Sequence, residues 1–320
     1  MSRPSDDALR VVRVEHHTCV LLTPDGPQTH ATLLRVAVGD WALLDKHGQV
    51  DQIVPRTTAV SRLSAGGQAV EQVLAANIDV VAVCAPLELD TRPARIERLL
   101  ALAWSSGAQP ILVATKLDLC PAEEVVPALE QFAGLAPGVE VIAVAVENPD
   151  TFEPIRQAVA PDRTLVMVGA SGVGKSSLIN ALLGHADLAT REIRADGKGR
   201  HTTAWRELVE IPGGGYLIDT PGLRSVGLSG DDEGGVDAVF TEIAELAELC
   251  RFTDCSHDTE PGCAVIEAIE DGRLDPGRLE RHRKLQRELA YQKRRFDARA
   301  RAEHTRQWLA RVTGNRKARP

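Results

Sequence analysis

Residues Gly169-Ala170-Ser171-Gly172-Val173-Gly174-Lys175-Ser176 follow an apolar run from Thr164 to Val168 and precede a helix-competent stretch, Ser177 to Leu183. No other feature restricts the fold of this chain as much. A Gly-x-x-x-x-Gly-Lys-Ser string between a buried strand and a helix is a loop whose backbone N–H groups wrap phosphate oxygens. The helix N-terminus adds partial positive charge. Lys175 can reach the β and γ phosphates, and Ser176 can ligate Mg²⁺. The flanking sequence supplies the sheet such a loop needs. Ile78 to Cys84, Pro110 to Ala114, Val139 to Val146 and Thr164 to Val168 read as strands. Between them, Ile96, Leu99, Leu100 and Ala103 fall on one helix face, and Glu123 to Phe132 and Phe152 to Val159 read as helices. Strands alternating with helices predict a parallel α/β sheet.

A phosphate loop does not choose its base. Thr115-Lys116-Leu117-Asp118 closes the strand Ile111 to Ala114 and fits the base-reading pattern Asn-Lys-x-Asp, with Thr115 at the usual Asn. The Asp118 carboxylate can accept from guanine N1–H and the exocyclic amine, a donor pair adenine lacks. Lys116 can cover the base with its stem. The backbone of Val144-Ala145-Val146 can support the guanine carbonyl. Downstream, the strand-like Tyr216 to Asp219 continues as Thr220-Pro221-Gly222, which resembles the second switch of translational-factor-type GTPases. Asp219 can hold Mg²⁺ through water, and the Gly222 amide can meet the γ-phosphate. Between loop and switch, Gly197 to Thr203 sits where a first switch belongs; one of Thr202 and Thr203 closes on Mg²⁺. Leu223 stands where many GTPases place a water-orienting Gln. His201 is then the nearest polar candidate for catalysis, with a structural or RNA-facing role as the alternative. Base reading thus precedes the phosphate loop, and the switches come last: a circularly permuted order.

The flanks differ from this centre. Met1 to about Gly67 reads as short strands separated by Pro24-Asp25-Gly26-Pro27, Gly39-Asp40 and His47-Gly48, a small barrel for which the OB-fold is one candidate. The C-terminal part, from near Ser229, holds an amphipathic Val236 to Leu249 and a helical stretch from Pro276 to Val312. Between these lie Cys250, Cys255, His257 and Cys263, the Cys₃His set of closed structural Zn²⁺ sites. Cys19, Cys84 and Cys120 read as buried free thiols. Net charge is −8, but from Arg281 onward 14 basic and 3 acidic side chains give +11, against −19 before it. A basic tail on an acidic body points to a polyanionic partner, or to a solvated Arg-rich helix face. No signal peptide and no apolar run near 18 residues is visible, so a soluble cytoplasmic protein is expected.

Taken together these residues resemble the RsgA/YjeQ family, the small ribosomal subunit biogenesis GTPases of bacteria. The likeness runs from Gly39-Asp40 and Ala75-Ala76-Asn77-Ile78-Asp79 through the nucleotide motifs to Glu260-Pro261-Gly262-Cys263-Ala264-Val265. It implies three domains: an OB-fold RNA-binding domain at 1–67, a permuted GTPase domain at 68–229, and a helical zinc-binding domain at 230–320 ending in a basic helix. It implies nucleotide contacts at Thr115 to Asp118 and Gly169 to Ser177, one structural zinc, and Mg²⁺ with GTP. It also implies a monomer, no membrane, and work in late 30S maturation, with 16S rRNA contact and GTP hydrolysis to GDP stimulated by the 30S particle. Two other readings use the same residues: a nucleotide-stabilised RNA-binding module with little turnover, and a permuted GTPase acting on the large subunit.

Overall fold

The computed structural model describes residues 4–63, 71–89, 91–184, 206–219 and 233–293. The chain divides into two compact units, Met1–Ser61 with Val73–Val226 and Arg62–Gln72 with Gly227–Pro320. In the first unit, β1 (Leu9–Val14), β2 (Thr18–Thr23), β3 (Gly26–Ala31), β4 (Trp41–Leu44) and β5 (Val50–Ile53) are the antiparallel strands of the OB-type barrel. Strand β3 starts and ends earlier than the run Thr29 to Val36 predicts. Thr32 N donates to His17 O, and Leu34 N donates to the Thr32 hydroxyl, which turns the following residues out of the ladder. A separate two-stranded sheet pairs β6 (Ala59–Leu63) with β7 (Glu71–Ala76).

The nucleotide domain follows. Strands β8 (Val80–Pro86), β9 (Gln109–Thr115), β10 (Glu140–Ala143), β11 (Thr164–Gly169) and β13 (Tyr216–Asp219) run parallel in the order β10-β9-β8-β11-β13. β11 is buried throughout and β8 up to its last residue, as continuous apolar runs require. Helices α1 (Pro93–Ser105), α2 (Ala122–Leu135), α3 (Glu153–Val159) and α4 (Lys175–Leu183) supply the rest of the core. Phe152, Ile155, Leu178 and Leu182 pack on Ile111, Leu165 and Leu217. Each such side chain contributes roughly 1.5–3 kcal/mol by leaving water. Strand β10 is shorter than predicted: it ends at Ala143, and Val144 O accepts from Leu117 N at 3.1 Å.

Strand β12 (Glu207–Glu210) pairs antiparallel with β13 on one side and with β1 on the other, at Arg13 and Glu207. The sheet of the nucleotide domain therefore continues into the barrel. Arg10 of β1, 7% exposed, reinforces this join. Its Nη2 donates to Asn77 O and Thr164 Oγ1, both at 2.9 Å, and its guanidinium lies 4.9 Å from the Trp41 ring centroid. Burial lowers its pKa to about 10, so it stays charged near neutral pH. Asn77 Nδ2 donates to Gly39 O at 3.0 Å. Gly39 (φ +88) allows this approach, since a Cβ there would stand 2.2 Å from Ala76 O.

The second unit is helical: α5 (Glu233–Val239), α6 (Thr241–Glu248), α7 (Ala264–Glu270) and α8 over residues 276–293. The amphipathic stretch Val236 to Leu249 forms parts of two helices, separated at Phe240 (φ −112, ψ 47). The buried Phe240 ring lies 4.4 Å from the Arg278 guanidinium and 5.1 Å from the His282 ring. Arg278 also donates to Val239 O, a carbonyl at the break, at 2.6 Å, and to the Glu242 carboxylate at 2.5 Å. Cys19 and Cys84 are buried as expected, whereas Cys120 is only half-buried, at the end of an exposed turn. Among the described residues no helix is long and apolar enough to cross a membrane.

Candidate nucleotide site and metal centre

Strand β11 delivers Gly169 to the carboxyl end of the sheet, where ligands of open α/β sheets bind. Only a glycine fits there, because a Cβ would stand 2.5 Å from Cys84 O. Gly172 and Gly174 are left-handed (φ +81 and +99), which coils the loop before α4 begins at Lys175. Ser171, Gly172, Ser176 and Ser177 are exposed, and Val173 is buried. Lys175 Nζ folds back onto Gly169 O at 2.8 Å and Ala170 O at 2.5 Å. An ammonium held over the loop in this way is placed to meet phosphate oxygens.

The Thr115 to Asp118 string, the candidate base-reading motif, lies two strands from β11, across β8. Lys116 is left-handed (φ 60, ψ 35), which turns the chain sharply as β9 ends. Leu117–Leu119 then forms one 3-10 turn with Asp118 exposed on it. Leu117 N donates to Val144 O at 3.1 Å, and Val144 N to Ala114 O at 2.8 Å, so Val144, Ala145 and Val146 flank the motif. The Ala145 amide donates to Thr151 Oγ1 at 3.2 Å. Thr115 is 2% exposed; its hydroxyl lies 2.6 Å from Val173 O and 3.2 Å from Ala85 O. Asp219 closes β13, the neighbour of β11, at the same end of the sheet. His201, Thr202, Thr203, Gly222 and Leu223 lie outside the described residues, as does the chain beyond 293.

Cys250, Cys255, His257 and Cys263 meet as expected, with their ligand atoms all within 4.8 Å of one another. Sγ of Cys250 is 3.9 Å from Sγ of Cys263 and 3.6 Å from Nδ1 of His257; Cys263 Sγ is 3.5 Å from the same nitrogen. A tetrahedral ion with bonds of about 2.3 Å to sulfur and 2.0–2.1 Å to nitrogen has edges of about 3.8 and 3.5 Å. The spacing fits a four-coordinate metal. Burial opposes ionisation of Cys250, but the amides of Ala264 and Val265, opening α7, pull its pKa below the ordinary thiol value. Burial and the nearby Arg283 charge lower the pKa of His257, favouring the neutral ring a metal requires.

The family model described as RsgA GTPase matches residues 53–229. The small ribosomal subunit biogenesis GTPase RsgA of Streptomyces coelicolor is 50% identical over 309 residues, spanning 92% of this chain and 83% of that protein. The chain belongs to the RsgA GTPase family. The RsgA of Opitutus terrae is 41% identical, over 95% of this chain and 90% of its own. The crystal structure of YjeQ from Thermotoga maritima has the same fold (TM-score 0.66, 22% identity, 89% of this chain and 98% of that one). So does YloQ, described as a circularly permuted GTPase (TM-score 0.63, 23% identity, 92% and 99%). As an RsgA-family member the chain is a GTP hydrolase, and its fold is the permuted one that the motif order predicts.

Two features of this RsgA-type site escape a motif reading. One is the Thr115 contact to the phosphate loop, 58 residues downstream. The other is Glu260, whose carboxylate accepts from the amides of Ser256, Asp258 and Thr259 and from the Ser256 hydroxyl. The Ser256 hydroxyl, then these amides, holds its carboxyl down at about 2. With Arg283 of α8 donating to His257 O, Glu260 pins the loop on which His257 takes φ +58. A Ser four residues ahead of a Glu, inside a ligand loop, is the signal that marks it.

Proposed function

We propose that this GTPase acts in late maturation of the small ribosomal subunit in the cytoplasm. It binds the 30S particle and 16S rRNA as a monomer and hydrolyses GTP to GDP faster when bound. The observation that carries this reading is the 50% identity, over most of both chains, to a protein named for small ribosomal subunit biogenesis. The arrangement of nucleotide groups supports it. Asp118 selects guanine and Lys116 covers the base. Gly169 to Ser177 hold the phosphates around Lys175. Ser176 ligates Mg²⁺, with Asp219 acting through water and Thr202 or Thr203 completing the shell. The Gly222 amide senses the γ-phosphate. His201 is the polar group nearest in sequence to the water that Leu223 cannot orient. The metal of Cys250, Cys255, His257 and Cys263 is zinc: three thiolates and an imidazole suit it and leave no open position, so its role is folding. The domains are 1–67, 68–229 and 230–320.

The test is GTP turnover with and without purified 30S subunits, with ATP and 50S subunits as controls. Stimulation by 30S alone, lost in Lys175→Ala, is expected. Equal stimulation by 50S, or tight RNA binding without any turnover, would overturn the assignment.

A further inference from the structure

We infer that Glu207, held by Arg13 of the barrel, tunes the charge beside Asp219, so that strand β1 sets how tightly the nucleotide site keeps its Mg²⁺. This rests on the reading above in which Asp219 holds Mg²⁺ through water. The β12–β13 ladder keeps register over four pairs, from Glu210 opposite Tyr216 to Glu207 opposite Asp219. Residues directly opposite share a face, with Cβ atoms about 4.5–5.5 Å apart. Alternate residues along each strand share it too, which puts Glu207 and Asp219 on the face of Val209 and Leu217. Val209 and Leu217 pack in one cluster with Leu178 and Leu182 of α4. Glu207 and Asp219 therefore project from the side of the sheet that carries α4, at the end where α4 begins with Lys175 and Ser176.

Two carboxylates side by side at that end favour a dication and repel each other without one. The next strand in the row answers this. Arg13 of β1 stands opposite Glu207, and its Nη1 lies 4.0 Å from Glu207 Oε1. Its other edge is aimed by Glu15, whose Oε1 lies 3.1 Å from both Nε and Nη2. The guanidinium thus draws Glu207 toward the barrel and offsets its charge. Arg13 and Glu207 are each 37% exposed, and an ion pair so open contributes little to stability. Its effect falls on the neighbouring site. Releasing Glu207 from Arg13 adds negative charge beside Asp219 and strengthens the attraction for a divalent cation; forming the pair weakens it. Arg13 belongs to the barrel and Glu207 to the strand next to the metal carboxylate, so the barrel acts on the cation through a single intervening side chain.

The experiment follows dissociation of a non-hydrolysable GTP analogue from the full chain as Mg²⁺ is titrated. Wild type is compared with Glu207→Gln, Arg13→Gln, the double variant and Asp219→Asn, with nucleotide-free thermal midpoints alongside. Glu207→Gln is expected to raise the half-saturating Mg²⁺ concentration about threefold, and Arg13→Gln to lower it by about the same factor. The double variant should match Glu207→Gln, since Arg13 acts through that carboxylate. Midpoints of the Arg13 and Glu207 variants should hardly move. An unmoved Mg²⁺ requirement in either single variant, a raised one in Arg13→Gln, an Arg13 effect of equal size without Glu207, or shifts found only where the midpoint also falls would overturn the inference. Wild-type Mg²⁺ dependence in Asp219→Asn would overturn the reading of Asp219 instead.

Discussion

The Arg10 guanidinium donates to Thr164 Oγ1 at 2.9 Å across 154 residues of sequence. Arg10 sits on a barrel strand, and Thr164 opens the strand that ends in the phosphate loop. Asp79 completes the knot, accepting from Thr164 N at 2.8 Å. Barrel and nucleotide domain are thus joined by buried polar contacts as well as by a shared sheet.

Arg10→Lys keeps the charge but not the fork. One ammonium does not reproduce the guanidinium's contacts to Asn77 O, Thr164 Oγ1 and the Trp41 ring. Buried groups left unmatched cost about 1–3 kcal/mol. Denaturant unfolding at neutral pH should show a loss of that size.

Gly39→Ala tests the close approach of the barrel to Ala76. The new Cβ would sit 2.2 Å from a backbone oxygen, at a φ of +88 that disfavours any side chain. Backbone must move, at a cost of about 2 kcal/mol or more. For a domain of this size that is a fall in thermal midpoint of roughly 4–8 °C.

Cys255→Ala removes one donor from a set whose members lie within 4.8 Å. The variant should lose its metal, and amide exchange should speed up across residues 241–270, with nucleotide binding retained. Retention of full zinc content would rule Cys255 out as a ligand.

His282, packed on Phe240, makes the second unit acid-sensitive. Burial, with the nearby His257 next in weight, lowers its pKa to about 4. An unfolded histidine titrates near 6.5, so the unfolded chain takes up a proton first as pH falls. The stability this group contributes is complete above about 6.5 and drains away as pH falls toward about 4. His282→Gln should flatten that part of the pH profile, read as the difference in unfolding midpoint between the two proteins. An unchanged slope would remove His282 as its source.

How far these features can be read in advance varies with their range. The parallel strands and the helices between them follow from apolar runs and one-sided periodicity, and β8, β9 and β11 lie within two residues of expectation. The short β5, with two exposed polar residues among its four, gives no such pattern. The break at Phe240 is invisible to periodicity, and the Arg278 that contacts it comes 38 residues later. At the site, residue types and spacing announce the phosphate loop, the base-reading string and the metal ligands. They do not announce that Thr115 leans on Val173, since a hydroxyl's partner is decided by which loops the sheet brings side by side. Read as a substitution, Thr115 forfeits an asparagine's bonds; seen in place, it makes a different one.

The pairing of β1 with β12 carries a consequence for synthesis. Leu9–Val14 leaves the ribosome early, but its partner Glu207 is added almost 200 residues later. At roughly 5–20 residues per second, the first strand waits on the order of 10–40 s for that edge to be covered. A nascent barrel in that interval exposes an unpaired strand edge, and for most of it Arg10 lacks its Thr164 acceptor. The joined sheet is complete only once about two thirds of the chain has been made, and chaperone demand should concentrate in that window.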